Sequence, residues 1–426
     1  MSPTTRRRRT IARHGQLHTP GPLSQLLKFI AIGLAVVLVS GFGVVSYIVY
    51  DLSSTVSANA VELDSTEELP PDISEYKGGF NLLLTGVDTC EEAYAQYFGD
   101  RCTGADSEGT LNDVNLLMHV SEEPRRITVV SLPRDMMVPI PECEDAEGEV
   151  HSAMNKQQIN VAYTDGGLNC VAKTVSDLSG QDIQFAASVT FGGVIEITNA
   201  IGGVEVCLAS DMRDRNTGID WEAGPRTIQG VEALQFLRTR YGVGGSDLAR
   251  VGNQQQYMSR LANKLKSQDV LSNPATLYKL ASTALRNVDP STSLTNPLTL
   301  VQIASAVKDV PFNEIVFIQY PTYTDPSNPN RVVPDRTDAD TLWAALSANQ
   351  PLELSGNLSD GNGVVVDKNA TPAPTQTPAP VETASPTPTA TSQASPAPTS
   401  DAIQLPSGIA GQTAAQSTCS NGNVRG

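Results

Sequence analysis

The chain has 426 residues, six cysteines and a formal net charge of −17, enough length for one large domain or two ordinary ones. Six basic residues (Arg6, Arg7, Arg8, Arg9, Arg13 and Lys28) and no acidic ones lie in the first 28 positions, so the remainder carries −23. So acidic a body argues against nucleic acid as a partner, because phosphate backbones are bound by basic surfaces.

In chain order, the basic tail 1–28 comes first. Residues 29–50 follow, 22 positions without a charge. As a helix they would span about 33 Å, the hydrocarbon thickness of a bilayer. A basic flank before an apolar span predicts a single-pass membrane protein with a cytoplasmic N-terminus and an extracytoplasmic main domain. Ala58-Asn59-Ala60 is compatible with cleavage as a signal peptide, but the apolar stretch exceeds a usual signal core and the site lies well beyond it. The arginines suffice as orienting charges, and the tail is too short for a DNA-binding fold.

Residues 51–78 read as a polar extracytoplasmic spacer. Residues 79–367 form the folded region. Runs at 80–87, 114–120, 126–132, 184–191, 204–208 and 314–319 predict strands. Helical patterns occupy 169–178, 194–200, 231–235, 248–266, 274–286, 297–307 and 338–348. Strands and helices mix throughout, which predicts an α/β fold with a central mixed sheet flanked by helices on both faces. Residues 368–426 read as a disordered tail. Eight prolines fall among Thr, Ala and Ser at 370–400, a composition that buries no core.

Six cysteines fit an oxidising compartment and permit fifteen pairings. Cys90 and Cys102 bracket one short loop, and Cys143 and Cys170 bracket another segment, so local pairing is expected. Cys207 and Cys419 are left over, and no cysteine or histidine has zinc spacing.

Arg238 and Arg240 end the run that starts at Gly230. If that run ends extended, both side chains leave on one face. Two adjacent guanidinium forks then repel unless an anion lies between them, and their planes match phosphate oxygens. Asp88 and Asp113 each border a predicted strand, where paired carboxylates can hold Mg²⁺ or another divalent cation. Arg134 follows Pro133, which stiffens a strand exit. Asp247, Arg250 and Gln254 recur at helical spacing behind a possible N-cap, Ser246.

These residues belong to an ordered series of motifs. Asn81-Leu-Leu-Leu-Thr-Gly-Val-Asp88 is followed by Asn112-Asp113-Val-Asn-Leu-Leu and Ser131-Leu-Pro-Arg-Asp135. Ile159 to Gly167, Gly202-Gly-Val-Glu-Val206, Gly230 to Arg240 and Asp247 to Gln255 complete it. The series resembles the LytR-CpsA-Psr family of envelope proteins, over about 79–266. The resemblance implies transfer of a glycopolymer from a polyprenyl pyrophosphate carrier to peptidoglycan by a metal-dependent phosphotransferase. It carries Arg134, Arg238, Arg240, Arg250 and Gln254 to the pyrophosphate, and Asp88 and Asp113 to the metal. The apolar run 185–201 and the helices after Arg250 offer a lining for the prenyl chain. Three positions where the family commonly has a basic residue hold Leu111, Gln158 and Asn253, with Lys156 close to the second. With those cations absent, non-catalytic binding of the lipid and hydrolysis of its pyrophosphate are the competing outcomes.

Overall fold

The structure, a computed structural model, describes residues 60–64, 78–97, 110–243, 247–267, 273–358, 363–367 and 402–423, with scattered positions elsewhere. The chain divides into two units, 1–54 and 55–426. The tail 1–28 and the span 29–50 lie outside the described residues, apart from helical positions at 25–28, 30–33 and 40. Among the described residues, no helix is long and apolar enough to cross a membrane.

Eleven strands frame the site. They are β1 (Phe80–Val87), β2 (Asn112–Val120), β3 (Ile127–Leu132), β4 (Phe185–Val189), β5 (Val204–Leu208), β6 (Gly224–Ile228), β7 (Val288–Pro290), β8 (Ile315–Gln319), β9 (Val364–Val366), β10 (Gly411–Thr413) and β11 (Thr418–Ser420). Seven helices accompany them: α1 (Val161–Ser179), α2 (Phe191–Ala200), α3 (Val231–Arg238), α4 (Asp247–Ser267), α5 (Pro274–Leu285), α6 (Pro297–Val307) and α7 (Arg336–Ser347).

The central sheet runs β7-β4-β1-β2-β3-β8-β10. It is mixed: β1 pairs parallel with β4 and antiparallel with β2, while β3 pairs parallel with β8. The alternation of a strand explains its two cores. On β1, Leu83 packs on the α1 and α7 side with Val171, Val175 and Leu342. Phe80 and Leu82 face the other way, toward Ile303 of α6 and Met258 of α4. The expected central mixed sheet with helices on both faces is therefore present.

A second sheet, β6-β5-β11-β9, carries its own core around Val206, Trp221, Phe236 and Tyr257. Here the structure departs from the sequence reading. Residues 402–423 are not a disordered tail. Strand β10 closes an edge of the central sheet, and β11 lies between β5 and β9. A disulfide joins Cys419 to Cys207, the two cysteines left over from local pairing. The physical reason is that a short segment stitched into existing sheets needs no core of its own, so its composition gives no warning. The proline-rich stretch 368–401 lies outside the described residues. The spacer also contributes: Val61 bridges Ser291 at the sheet edge.

Cys90 pairs with Cys102 and Cys143 with Cys170, as expected. The loop after β1 buttresses α2. Glu91 accepts from the Gly192 backbone N–H at 2.7 Å, and the Tyr94 hydroxyl donates to Glu196 at 2.8 Å. A Cβ at Gly192 would stand 2.3 Å from Glu91 Oε2 and 2.4 Å from the Tyr94 ring, so a larger residue would force both side chains to shift. The Glu196 carboxylate, first among the causes, pushes the Tyr94 phenol up to about 12.

Candidate active site

Asp88 follows β1 directly. Its backbone N–H donates to Leu111 O, and its Oδ1 accepts from the Leu111 N–H at 2.8 Å. Asp113 stands on the facing strand at an irregularity in the pairing. Gly86 is opposite Val114 and Val87 opposite Asn112, so Asp113 has no register partner. A bulge of this kind turns its extra side chain out of the pleat and recurs beside active sites. The Asp113 carboxylate forms an ion pair with Arg134.

Arg238 and Arg240 do not leave a strand together. The run is helical through Arg238, and Thr239, which follows it, is extended, at φ −61° and ψ 132°. The amphipathic pattern Val231, Leu234, Leu237 favours the helix over an extended end. The Arg238 guanidinium lies 4.4 Å from the Phe191 ring centroid, a cation–π contact that holds the fork in one place. Asp214 organises the turn that follows. Its Oδ2 accepts from the Thr239 hydroxyl at 2.7 Å and from the Arg240 backbone N–H at 3.2 Å.

Helix α4 supplies the third component. Arg250 and Gln254, four residues apart, share a face. Both are buried, at 4% and 6% exposure. Arg250 Nη2 donates to the Asp113 carbonyl at 3.2 Å, and Gln254 Nε2 donates to the Leu237 carbonyl at 3.2 Å. The side chains of Ser246 and Asp247 lie outside the described residues.

One cavity of about 230 Å³ brings these groups together. Asp113, Arg238, Arg250 and Gln254 line it beside Leu84, Leu116, Val194, Ile197, Met258 and Leu261. Arg134 is linked to it through Asp113. Asp88 and Arg240 are not among its lining residues. Tyr257 also lines it, its phenol pushed up by burial while its hydroxyl meets Thr198. The walls are apolar, so a charged ligand group is held by the few polar side chains present.

Asp88, just past the end of β1, and Asp113, at the β2 irregularity, each offer carboxylate oxygens, donor chemistry that suits a hard divalent cation. Among the described residues, one group of three metal-binding side chains clusters, Cys207, Asp367 and Cys419. Its two cysteines are spent in a disulfide, so it has no thiolates to offer.

The LytR_cpsA_psr family model matches residues 46–348, well over half the sequence. The chain belongs to this family. It is 28% identical over 276 residues to the cell wall biosynthesis protein LcpA of Corynebacterium glutamicum, covering 60% of this chain and 52% of LcpA. It thus spans about half the length of that relative. It is 25% identical over 347 residues to the polyisoprenyl-teichoic acid–peptidoglycan teichoic acid transferase TagV of Bacillus subtilis, covering 79% of this chain and 82% of TagV. Among solved structures, protein gbs0355 from Streptococcus agalactiae shares the fold, with a TM-score of 0.52, 19% identity, and coverage of 67% of this chain and 90% of that one.

Two of the three positions that the resemblance implies are basic have side chains engaged elsewhere. Leu111 contributes its backbone to Asp88. Gln158 Nε2 donates to Asp135 Oδ1 at 2.9 Å. Lys156 does not stand in for it: its ammonium pairs with Asp325 at 2.8 Å, and this contact holds the Asp325 carboxyl down at about 2. Asn253 is fully buried and turned away from the cavity, where its Oδ1 accepts from the Ser420 hydroxyl at 2.6 Å. The helix face at 253, 256, 260 and 263 meets the C-terminal segment. Gln256 donates to the Thr418 carbonyl, Arg260 to the Ser417 hydroxyl and Asn263 to the Ala414 carbonyl. An arginine at 253 would bury an unpaired charge against β11. Asn253→Arg is therefore expected to destabilise the fold by about 3 kcal/mol or more, read from the urea midpoint, with no gain in anion affinity.

Proposed function

We propose that this protein transfers a glycopolymer from a polyprenyl pyrophosphate carrier to a peptidoglycan hydroxyl, forming a phosphodiester. One observation carries the reading: the same cavity is lined by apolar side chains and by Arg238, Arg250, Gln254 and Asp113. An amphiphile with a long hydrocarbon chain and an anionic head needs that combination, and neither a free sugar nor a free phosphate does. The kinship with TagV, itself a teichoic acid transferase, supports the same class of substrate.

The mechanism follows from the charges. Arg238 and Arg250, which line the cavity, grip the pyrophosphate oxygens through planar forks, and Arg134 and Arg240 add theirs from outside its lining. The acceptor hydroxyl oxygen attacks the sugar-proximal phosphorus, and the bond from that phosphorus to the bridging oxygen breaks. Polyprenyl phosphate departs with the bond's electron pair. The hydroxyl proton passes to a strand-end carboxylate, Asp88 or Asp113. Charge growing on the departing phosphate is what the arginines stabilise, and preorganised donors in a dry site do so best. Asp88 and Asp113 would hold a divalent cation such as Mg²⁺, which when bound neutralises further phosphate charge. No His or Cys nucleophile is invoked, so displacement is direct. We also propose that residues 29–50 anchor the protein by a single span, with the tail 1–28 cytoplasmic and the domain outside.

The full-length protein is to be incubated in detergent with a polyprenyl-pyrophosphoryl glycan, peptidoglycan and Mg²⁺. Polyprenyl phosphate should appear together with glycan bound to the wall polymer. Release with glycan phosphate left in solution would make it a hydrolase, and binding without release would make it a scaffold.

A further inference from the structure

Arg134 sits between two acids. It pairs with Asp113 at the cavity, and its Nε lies 3.8 Å from Oδ2 of its neighbour Asp135. An arginine in that position can be drawn either toward the ligand or toward the adjacent carboxylate. What decides is how well Asp135 is satisfied elsewhere. Two donors meet its other oxygen: Gln158 Nε2 at 2.9 Å and Arg331 Nη1 at 3.2 Å. Both are closer than Arg134.

Arg331 comes from a hairpin, Thr322–Asp325 with Asn328–Pro334, far along the chain from every motif of the site. Two contacts fix that hairpin. Its Val332 bridges Met136, the residue after Asp135, and its Asp325 is held by Lys156. The resulting row of charges alternates in sign: Asp113, Arg134, Asp135, Arg331. Without Arg331 the remaining three sum to −1 beside a site meant for an anion, and, among the described residues, Arg134 is the cation left in an ion pair with Asp135.

We infer that Arg331 is a positioning residue of the phosphate site: it occupies Asp135, so that Arg134 is committed to Asp113 and to a bound pyrophosphate. This rests on the reading that the cavity takes a polyprenyl pyrophosphate. Arg331 is not a catalytic residue; it works through Asp135 and Arg134.

The test is a calorimetric titration of farnesyl pyrophosphate into the full-length protein in detergent. Arg331→Ala should weaken binding about tenfold, and Arg331→Lys, which keeps the charge, by less than about threefold. Placing a second cation on the same carboxylate should restore binding, so Arg331→Ala combined with Gln158→Arg returns to within about threefold of the parent. In an Asp135→Asn background, Arg331→Ala should add no further loss, because the competitor for Arg134 is gone. A merely structural role predicts neither the rescue nor this masking, and the thermal midpoint serves as the check on folding. Binding unchanged in Arg331→Ala, or an equal loss with and without the Asp135 charge, overturns the inference. Failure of the unsubstituted protein to bind the probe would instead overturn the pyrophosphate reading on which it rests.

Discussion

Replacing Arg238 with alanine is expected to cut polyprenyl phosphate release about a hundredfold or more while leaving the fold intact. Three observations set that size. The guanidinium lines the cavity, so its charge acts among apolar walls where electrostatic terms are strong. Phe191 holds it at 4.4 Å, so the fork is ordered before the ligand arrives. It ends α3, and the turn beyond is tied to Asp214 by Thr239 and the Arg240 N–H, contacts that the substitution leaves alone. Arg238→Lys should recover only part of the rate, since an ammonium stacks less well and cannot bind two oxygens in one plane. Measuring initial rates at saturating lipid separates the loss in turnover from weaker binding.

The second large effect concerns stability. Cys419→Ala is expected to lower the unfolding free energy by about 4 kcal/mol, because the disulfide closes 212 residues of chain. Deleting everything from residue 402 onward should go further and prevent folding of the second sheet. Strand β11 lies between β5 and β9, so its loss leaves β9 without a neighbour and exposes the β5 edge. The effect should reach the site. The α4 face that binds residues 414–420 lies on the helix that also carries Arg250 and Gln254. Urea unfolding of Cys419→Ala beside the parent, both without reductant so that the other two disulfides stay closed, reads the first effect. The truncated protein, assayed for release, reads the second.

Much of this was legible in the sequence. The strands at 80–87 and 126–132 and the helix at 297–307 follow from period and from glycine or proline boundaries. The arginine and acid motifs pointed to the cavity that gathers Asp113, Arg238, Arg250 and Gln254. Three features were not legible, each for a physical reason. The irregularity that frees Asp113 arises from pairing with β1, which one strand alone does not encode. The C-terminal segment reads as loose because it borrows its core from β5 and α4. Arg331 lies some 200 positions from Arg134, joined by a hairpin docking that leaves no local signature. Asn253 shows the reverse lesson. It reads as a cation missing from the site, whereas its position on α4 commits it to Ser420.

The central claim is that one cavity takes both the hydrocarbon chain and the pyrophosphate head of a single lipid. The direct test is a binding series on the full-length protein with inorganic pyrophosphate, geranyl pyrophosphate and farnesyl pyrophosphate. Burying hydrocarbon contributes about 0.8 kcal/mol per methylene, so affinity should climb at least about tenfold with each prenyl unit, and Leu116→Asp should flatten the climb. Equal affinity for pyrophosphate and farnesyl pyrophosphate would contradict the account.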